Sequence, residues 1–151
     1  MNLKETIKSA GLLVAVLVVS RLIGLPANVT PLLGLAVFAH RMNLSPWVSV
    51  GILAVTDFLF LGLYSNMHIV YGCMLAAYFI GKHMSNVYAS SAVSVLVWHV
   101  CVNMGLTFPP FSPEAMLFDM RLLASTLGFV ALLDVTQRTL GLTKHTKSSI
   151  I

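Results

Sequence analysis

Long apolar runs, broken at short intervals by proline, glycine and a few charges, dominate the pattern along this chain. The first extends from about Ser9 to Leu25 and stops at Pro26. The second, about Val29 to Arg41, is shorter. The third begins after Ser45-Pro46, a helix opening with proline in the first turn, and reaches about Leu63. The fourth covers Tyr64 to His83, the fifth about Asn86 to Leu106, and the sixth runs from Ser112-Pro113 to about Leu140. A helix crossing hydrocarbon needs about 20 residues, with a range of roughly 17–25. The six runs therefore predict six spans that nearly exhaust the chain. The second is short for a span, so it is expected to be tilted, half-buried or extended into its loop. The sixth is longer than a bilayer demands, so one of its ends should protrude.

Composition turns this pattern into a class. Of 151 residues, 58% are hydrophobic and only 9% charged, and the mean hydropathy is +0.90. Soluble domains carry roughly 25% charged residues. The expectation is an all-α integral membrane protein, a single transmembrane domain over 1–151 with no soluble domain, linker or repeat. The net charge of +4 does not argue for nucleic acid. The basic residues gather at the ends of runs, and no basic patch with interleaved aromatics is present. With the N-terminus inside, Lys4, Lys8, Arg41, Lys82, Arg138, Lys144 and Lys147 fall on the cytoplasmic side and only Arg21 and Arg121 fall outside. That bias follows the positive-inside rule and puts both termini in the cytoplasm. Lys4 and Lys8 before an apolar run resemble a signal peptide, but Arg21 interrupts the cleavage region, so a retained first span is expected.

This topology gathers the polar residues. Arg21, Asn28 and Thr30 lie at the outer end of the first two runs, and Asp57 in the outer half of the third. His68, Tyr71 and Cys73 occupy the outer half of the fourth. His99, Cys101 and Asn103 follow in the fifth, and Asp119 with Arg121 in the sixth. The inner halves hold almost nothing comparable. Interfacial decoration would be symmetric; this asymmetry describes a polar-lined cavity opening outward. Polar side chains at membrane depth are costly and mark function by default. Asp57 costs roughly 2.5–3.5 kcal/mol at a helix centre, so it needs a partner, and Arg21 and Arg121 are the outer cations on offer. His99 and Asn103 stand one turn apart on one face. Asp134 and Arg138, also four apart, are expected to form a structural ion pair.

The thiols leave two readings open. Buried cysteine serves as a small apolar filler. Cys73 also has Gly72 beside it and His68 and Tyr71 nearby, and its thiolate is a soft metal ligand. One thiol cannot build a metal cage, but it can supply an axial ligand to a metal already held by a macrocycle. A disulfide between Cys73 and Cys101 would require their helices to touch. An intramembrane thiol enzyme, with either cysteine activated by His68 or His99, is the alternative of a different class.

Several short elements carry a resemblance across essentially the whole chain. They are Pro26-Ala27-Asn28-Val29-Thr30-Pro31 after an Arg21-containing span, Asp57 on the third run, and Val70-Tyr71-Gly72-Cys73 with Tyr78 on the fourth. Together with six short spans and an outward cavity, they resemble the substrate-binding S-components of energy-coupling-factor vitamin transporters, and within these the BtuM group of cobalamin S-components. The resemblance implies cobalamin (vitamin B12) binding and uptake across the cytoplasmic membrane of a prokaryotic cell. It implies Cys73 as the axial cobalt ligand, a ligation that could assist decyanation of cyanocobalamin; the second reading within transport is an S-component for another vitamin or precursor, with Cys73 as filler. Arg21, Asn28, Asp57, His68, Tyr71, Tyr78, His99 and Asn103 would face the corrin amides or the phosphate. The implied partner is a shared energy-coupling module, an EcfT-type transmembrane subunit with its ATPases, although members of the group can lack a dedicated one. Gly11 and Ala15 on the first run approximate the AxxxA face used for that docking.

Overall fold

The computed structural model describes residues 3–25, 29–102 and 112–139, which form six helices and no strand among the described residues. These are α1 (Leu3–Leu22), α2 (Leu32–Ala39), α3 (Pro46–Leu61), α4 (Met67–His83), α5 (Val87–Trp98) and α6 (Pro113–Thr139). Beyond Trp98, α5 continues through residues 99–102 as a π-helical turn. The all-α expectation holds, and three helix starts are set by local chemistry. Ser45 caps α3 by accepting from the Val48 N–H at 3.2 Å, with Pro46 in the first turn. The Asn86 side chain accepts from the Tyr88 and Ala89 N–H groups at 2.9 and 3.1 Å, opening α5. Ser112 accepts from the Ala115 N–H at 3.2 Å, opening α6. These caps satisfy donors that the first helical turn leaves unpaired.

The second run, expected to be tilted, half-buried or extended into its loop, is narrowed further by the structure. It contracts to α2, eight residues long and buried at every position. Eight residues rise about 12 Å, against about 30 Å of bilayer hydrocarbon, so α2 is a core helix and not a span by itself. It touches α3, α4, α5 and α6. Two glycines permit this fit. A Cβ on Gly81 of α4 would stand 2.2 Å from the Val37 carbonyl oxygen, and one on Gly34 of α2 would stand 3.2 Å from the Thr126 carbonyl oxygen.

Cross-helix contacts fix the level of α2 in the bundle. The upper end is taken as the one holding the end of α1 and the start of α6. The Thr30 backbone N–H donates to the Ser125 hydroxyl at 3.4 Å, half-way along α6. At the lower end the Gln137 amide donates to the Arg41 carbonyl at 3.0 Å, and the Arg41 guanidinium donates to the Ser85 carbonyl. So α2 lies beside the lower half of α6. The α6 residues above Ser125, about 18 Å of helix, have no α2 against them. Val37 is level with Gly81; counting back along the two parallel helices puts Leu32 level with Ala76. Cys73 therefore lies about one turn above the top of α2.

Large apolar side chains stand on the surface. Leu22, Trp47, Leu59, Leu63 and Met120 are each more than two-thirds exposed. Buried positions include Ser90, Ser91 and Ser94 of α5 and Asp57 of α3. The three serines donate to carbonyls of their own helix at 2.8 Å, which satisfies hydroxyls placed mid-helix. Among the described residues one helix, α6, is long and apolar enough to cross a membrane, and only 22% of its most apolar window is buried. α3 and the extended α5 are apolar but shorter. α1 reaches 20 residues but carries Lys4, Glu5, Lys8 and Arg21 toward its ends.

Candidate functional site at the upper end of the bundle

Three helices meet at one buried carboxylate. Asp57 on α3 is 1% exposed and pairs with the Arg21 guanidinium from the last turn of α1. The Tyr71 hydroxyl on α4 donates to its other oxygen at 3.3 Å. The need of Asp57 for a cationic partner is thus met by Arg21. Tyr64, in the loop before α4, interacts with Tyr71 and Asp57, and burial pushes its phenol above the ordinary value. The Arg21 Nε is buried and has no acceptor among the described residues. A buried donor without a partner costs about 1–3 kcal/mol, so this network has spare donor capacity.

On the other side of the same end, His99 Nδ1 pairs with an Asp119 carboxylate oxygen, tying α5 to α6. Asn28 and Asn103 lie outside the described residues. Within them, the contact seen for His99 is Asp119, from the neighbouring helix. His99 opens the π-helical turn, where the four-residue stacking of a regular helix does not hold. Such turns recur at functional sites. His68 is exposed in the first turn of α4.

Between these two networks stand the thiols. Cys73 is 4% exposed and Cys101 is exposed; both are free. The helices α4 and α5 pack against each other. No group of three or more His, Cys, Asp or Glu side chains suited to a metal ion occurs among the described residues. A metal at Cys73 would have to arrive with most of its ligands already in place.

Tyr78 requires a correction. Its hydroxyl donates to the Leu44 carbonyl at 2.7 Å, and its ring packs edge-on against His40 at 6.0 Å. Both partners belong to the lower turn after α2, so Tyr78 holds the bundle together away from the upper polar residues. The expected pair of Asp134 and Arg138 is present at 2.7 Å on α6. Cys101 and Asp119, placed around the outward cavity by the sequence but given no ligand contact, lie at this end of the bundle, and Tyr64, to which sequence reasoning gave no role, joins them. For Asp119, the signal was an acid in the upper part of an apolar helix. Tyr64 carried none, because its role depends on how the loop folds over Asp57.

Fold and site together define a small all-α bundle whose thiols, buried ion pair and histidine–carboxylate pair collect above a short central helix. The chain belongs to a family of unknown function, DUF6580, which matches residues 1–116, from α1 to the first turn of α6. No curated protein and no solved structure matches it.

Proposed function

We propose that the chain is a multi-pass membrane protein of S-component type that binds cobalamin from the outer side and mediates its uptake across the cytoplasmic membrane. The observation that carries this reading is the position of Cys73. It is a buried thiol about one turn above the top of α2, below Arg21, Asp57, Tyr71 and the pair of His99 with Asp119. In this reading the top of α2 is the floor of an outward pocket and the upper polar network is its wall. A corrin brings its cobalt with four equatorial ligands and exchangeable ligands on its axial faces. A single thiolate then suffices, in keeping with the lack of a three-ligand group among the described residues. The free Arg21 Nε is suited to an amide oxygen or phosphate of the ligand.

The membrane half of the reading rests on surface chemistry. A belt of exposed Leu, Val, Phe and Met covers α1, α3 and α6, far more than a soluble monomer tolerates. Helices α1, α3, α4, α5 and α6 cross the bilayer in this reading, and the α2 segment passes between its faces inside them. The Gly11/Ala15 face of α1 is exposed, and a Cβ at Gly11 would meet nothing within 4 Å. That leaves it open to an EcfT-type subunit.

The test is spectroscopic. Purified protein given cobalamin should turn pink to red, with a corrinoid spectrum that Cys73→Ser changes. With cyanocobalamin, loss of the cyanide ligand should depend on Cys73. Protein that stays colourless and leaves the spectrum of added cobalamin untouched would overturn the reading. Growth rescue of a cobalamin-dependent host lacking its own uptake system tests transport.

A further inference from the structure

The lower end of the bundle carries cations that cobalamin binding does not employ. His40 and Arg41 stand in the turn after α2, and Lys82 and His83 in the last turn of α4. Three contacts bring that turn onto the end of α4. The His40 ring packs edge-on against Tyr78, the Tyr78 hydroxyl donates to the Leu44 carbonyl at 2.7 Å, and the Arg41 guanidinium donates to the Ser85 carbonyl. Lys82 is one turn beyond Tyr78 on the same face of α4, so it faces the same turn. His40, Lys82 and His83 are exposed and Arg41 is half-buried.

No carboxylate answers these cations. The side-chain carboxylates of the chain are Glu5, Asp57, Glu114, Asp119 and Asp134. Asp57 and Asp119 are paired at the upper end, where Glu114 lies in the first turn of α6. Asp134 pairs with Arg138, and Glu5 belongs to α1, which packs on α3. No ion pair to Arg41 or Lys82 occurs among the described residues. The carbonyl ends of α2 and α4 carry roughly half a negative charge each. That offsets about one of the two full cations and leaves the patch positive.

We propose that Arg41 and Lys82, flanked by His40 and His83, hold the phosphate of an anionic phospholipid headgroup at this end of the bundle. Arg41 is fixed on both sides, since its carbonyl also accepts from the Gln137 amide at 3.0 Å. Its remaining guanidinium N–H groups are available to phosphate oxygens, and Lys82 adds a point charge. Two exposed aromatics favour a lipid over free phosphate. Trp47, in the first turn of α3, is 75% exposed, and Tyr88, in the first turn of α5, is 44% exposed. Both open their helices at this lower end, and exposed Trp and Tyr settle at headgroup level. The site rests on the membrane half of the proposed function and not on cobalamin.

The experiment titrates the full chain in detergent with phosphatidylglycerol and counts the lipid retained by native mass spectrometry. Wild type should retain one phosphatidylglycerol at concentrations that leave phosphatidylcholine, whose choline cancels the phosphate charge, unbound. Lys82→Gln should weaken retention about fivefold, the worth of one surface cation. Lys82→Met serves as a second version should the glutamine variant fail to fold. Lys8→Gln removes the same charge from α1, outside the patch, and should leave retention as in wild type. Equal retention of phosphatidylcholine, equal weakening by Lys8→Gln, or undiminished retention by the Lys82 variants would overturn the site. Displacement of the lipid by an equal concentration of inorganic phosphate would overturn the lipid as its occupant. Lipid retention without any corrinoid response leaves this site standing and overturns the cobalamin reading instead. A corrinoid response without lipid retention does the reverse.

Discussion

Replacing Gly81 by alanine puts the packing of α2 under direct test. The added Cβ would lie 2.2 Å from the Val37 carbonyl oxygen, 2.9 Å from its carbon and 3.0 Å from its Cα. Ordinary contact begins at 3.4 Å, so the intrusion is about 1.2 Å, and all three atoms are backbone. No rotamer change relieves it; α2 and α4 must move apart, loosening the contacts of Val37, Ala77 and Met74, each at most 1% exposed. Overpacking of this kind costs about 1–3 kcal/mol and occasionally more. A rigid backbone obstacle argues for the upper part of that range. Alanine returns about 0.8–1.0 kcal/mol of helix propensity, leaving a net loss of about 2 kcal/mol. For a chain of this size that lowers the melting temperature by about 4–8 °C. Gly128→Ala is the matched control, since a Cβ there meets nothing within 4 Å; it should leave the midpoint unchanged or raise it by a few degrees. Thermal unfolding of both variants in detergent, followed by tryptophan fluorescence, decides the matter. A Gly81→Ala protein as stable as wild type would refute the close approach of α2 to α4.

Three further outcomes are expected. Asp57→Asn removes the charge that holds Arg21 and Tyr71, and should destabilise the bundle by about 2–3 kcal/mol, below the usual cost of breaking a buried pair because Arg21 is partly exposed. In a double-mutant cycle with Arg21→Gln the two losses should be less than additive; full additivity would mean the pair contributes nothing. Tyr78→Phe should cost about 1 kcal/mol by leaving the Leu44 carbonyl without its donor, and should leave any corrinoid spectrum as in wild type. His40, in the turn after α2, has its pKa lowered from 6.5 by burial first and then by Lys82, Arg41 and His83. The folded protein therefore binds fewer protons there than the unfolded chain, so stability is lost as pH falls through 6.5 toward the lowered value. His40→Gln should flatten this acid-side fall in melting temperature, and an unchanged slope would count against the assignment.

Three helix starts were the most legible part of this chain, because each is encoded within four residues. Ser45-Pro46, Asn86 and Ser112-Pro113 all open helices where their capping chemistry predicts. The partner of Asp57 was legible for a different reason: a buried carboxylate needs a cation, and few cations were on offer. What stayed hidden depends on register between helices. Tyr78 shares a helix with Cys73, and only the level of the α2 turn shows that it serves the lower end. The same holds for the pairing of His99 with Asp119. The shortness of the second run was legible, but not the bounds of α2 within it, because hydropathy does not distinguish a buried helix from the buried connections at its ends.

The shortness of α2 has a consequence for selectivity. If its upper end is the floor of a pocket, the depth of that pocket is written in the length of a helix and not in the side chains that line it. One more turn would raise the floor by about 5.4 Å and bring it past Cys73; one fewer would sink the thiol into a wall. Relatives with the same wall residues but a longer or shorter central helix would then accept ligands of different thickness, and a change of cargo would need an insertion and not a substitution.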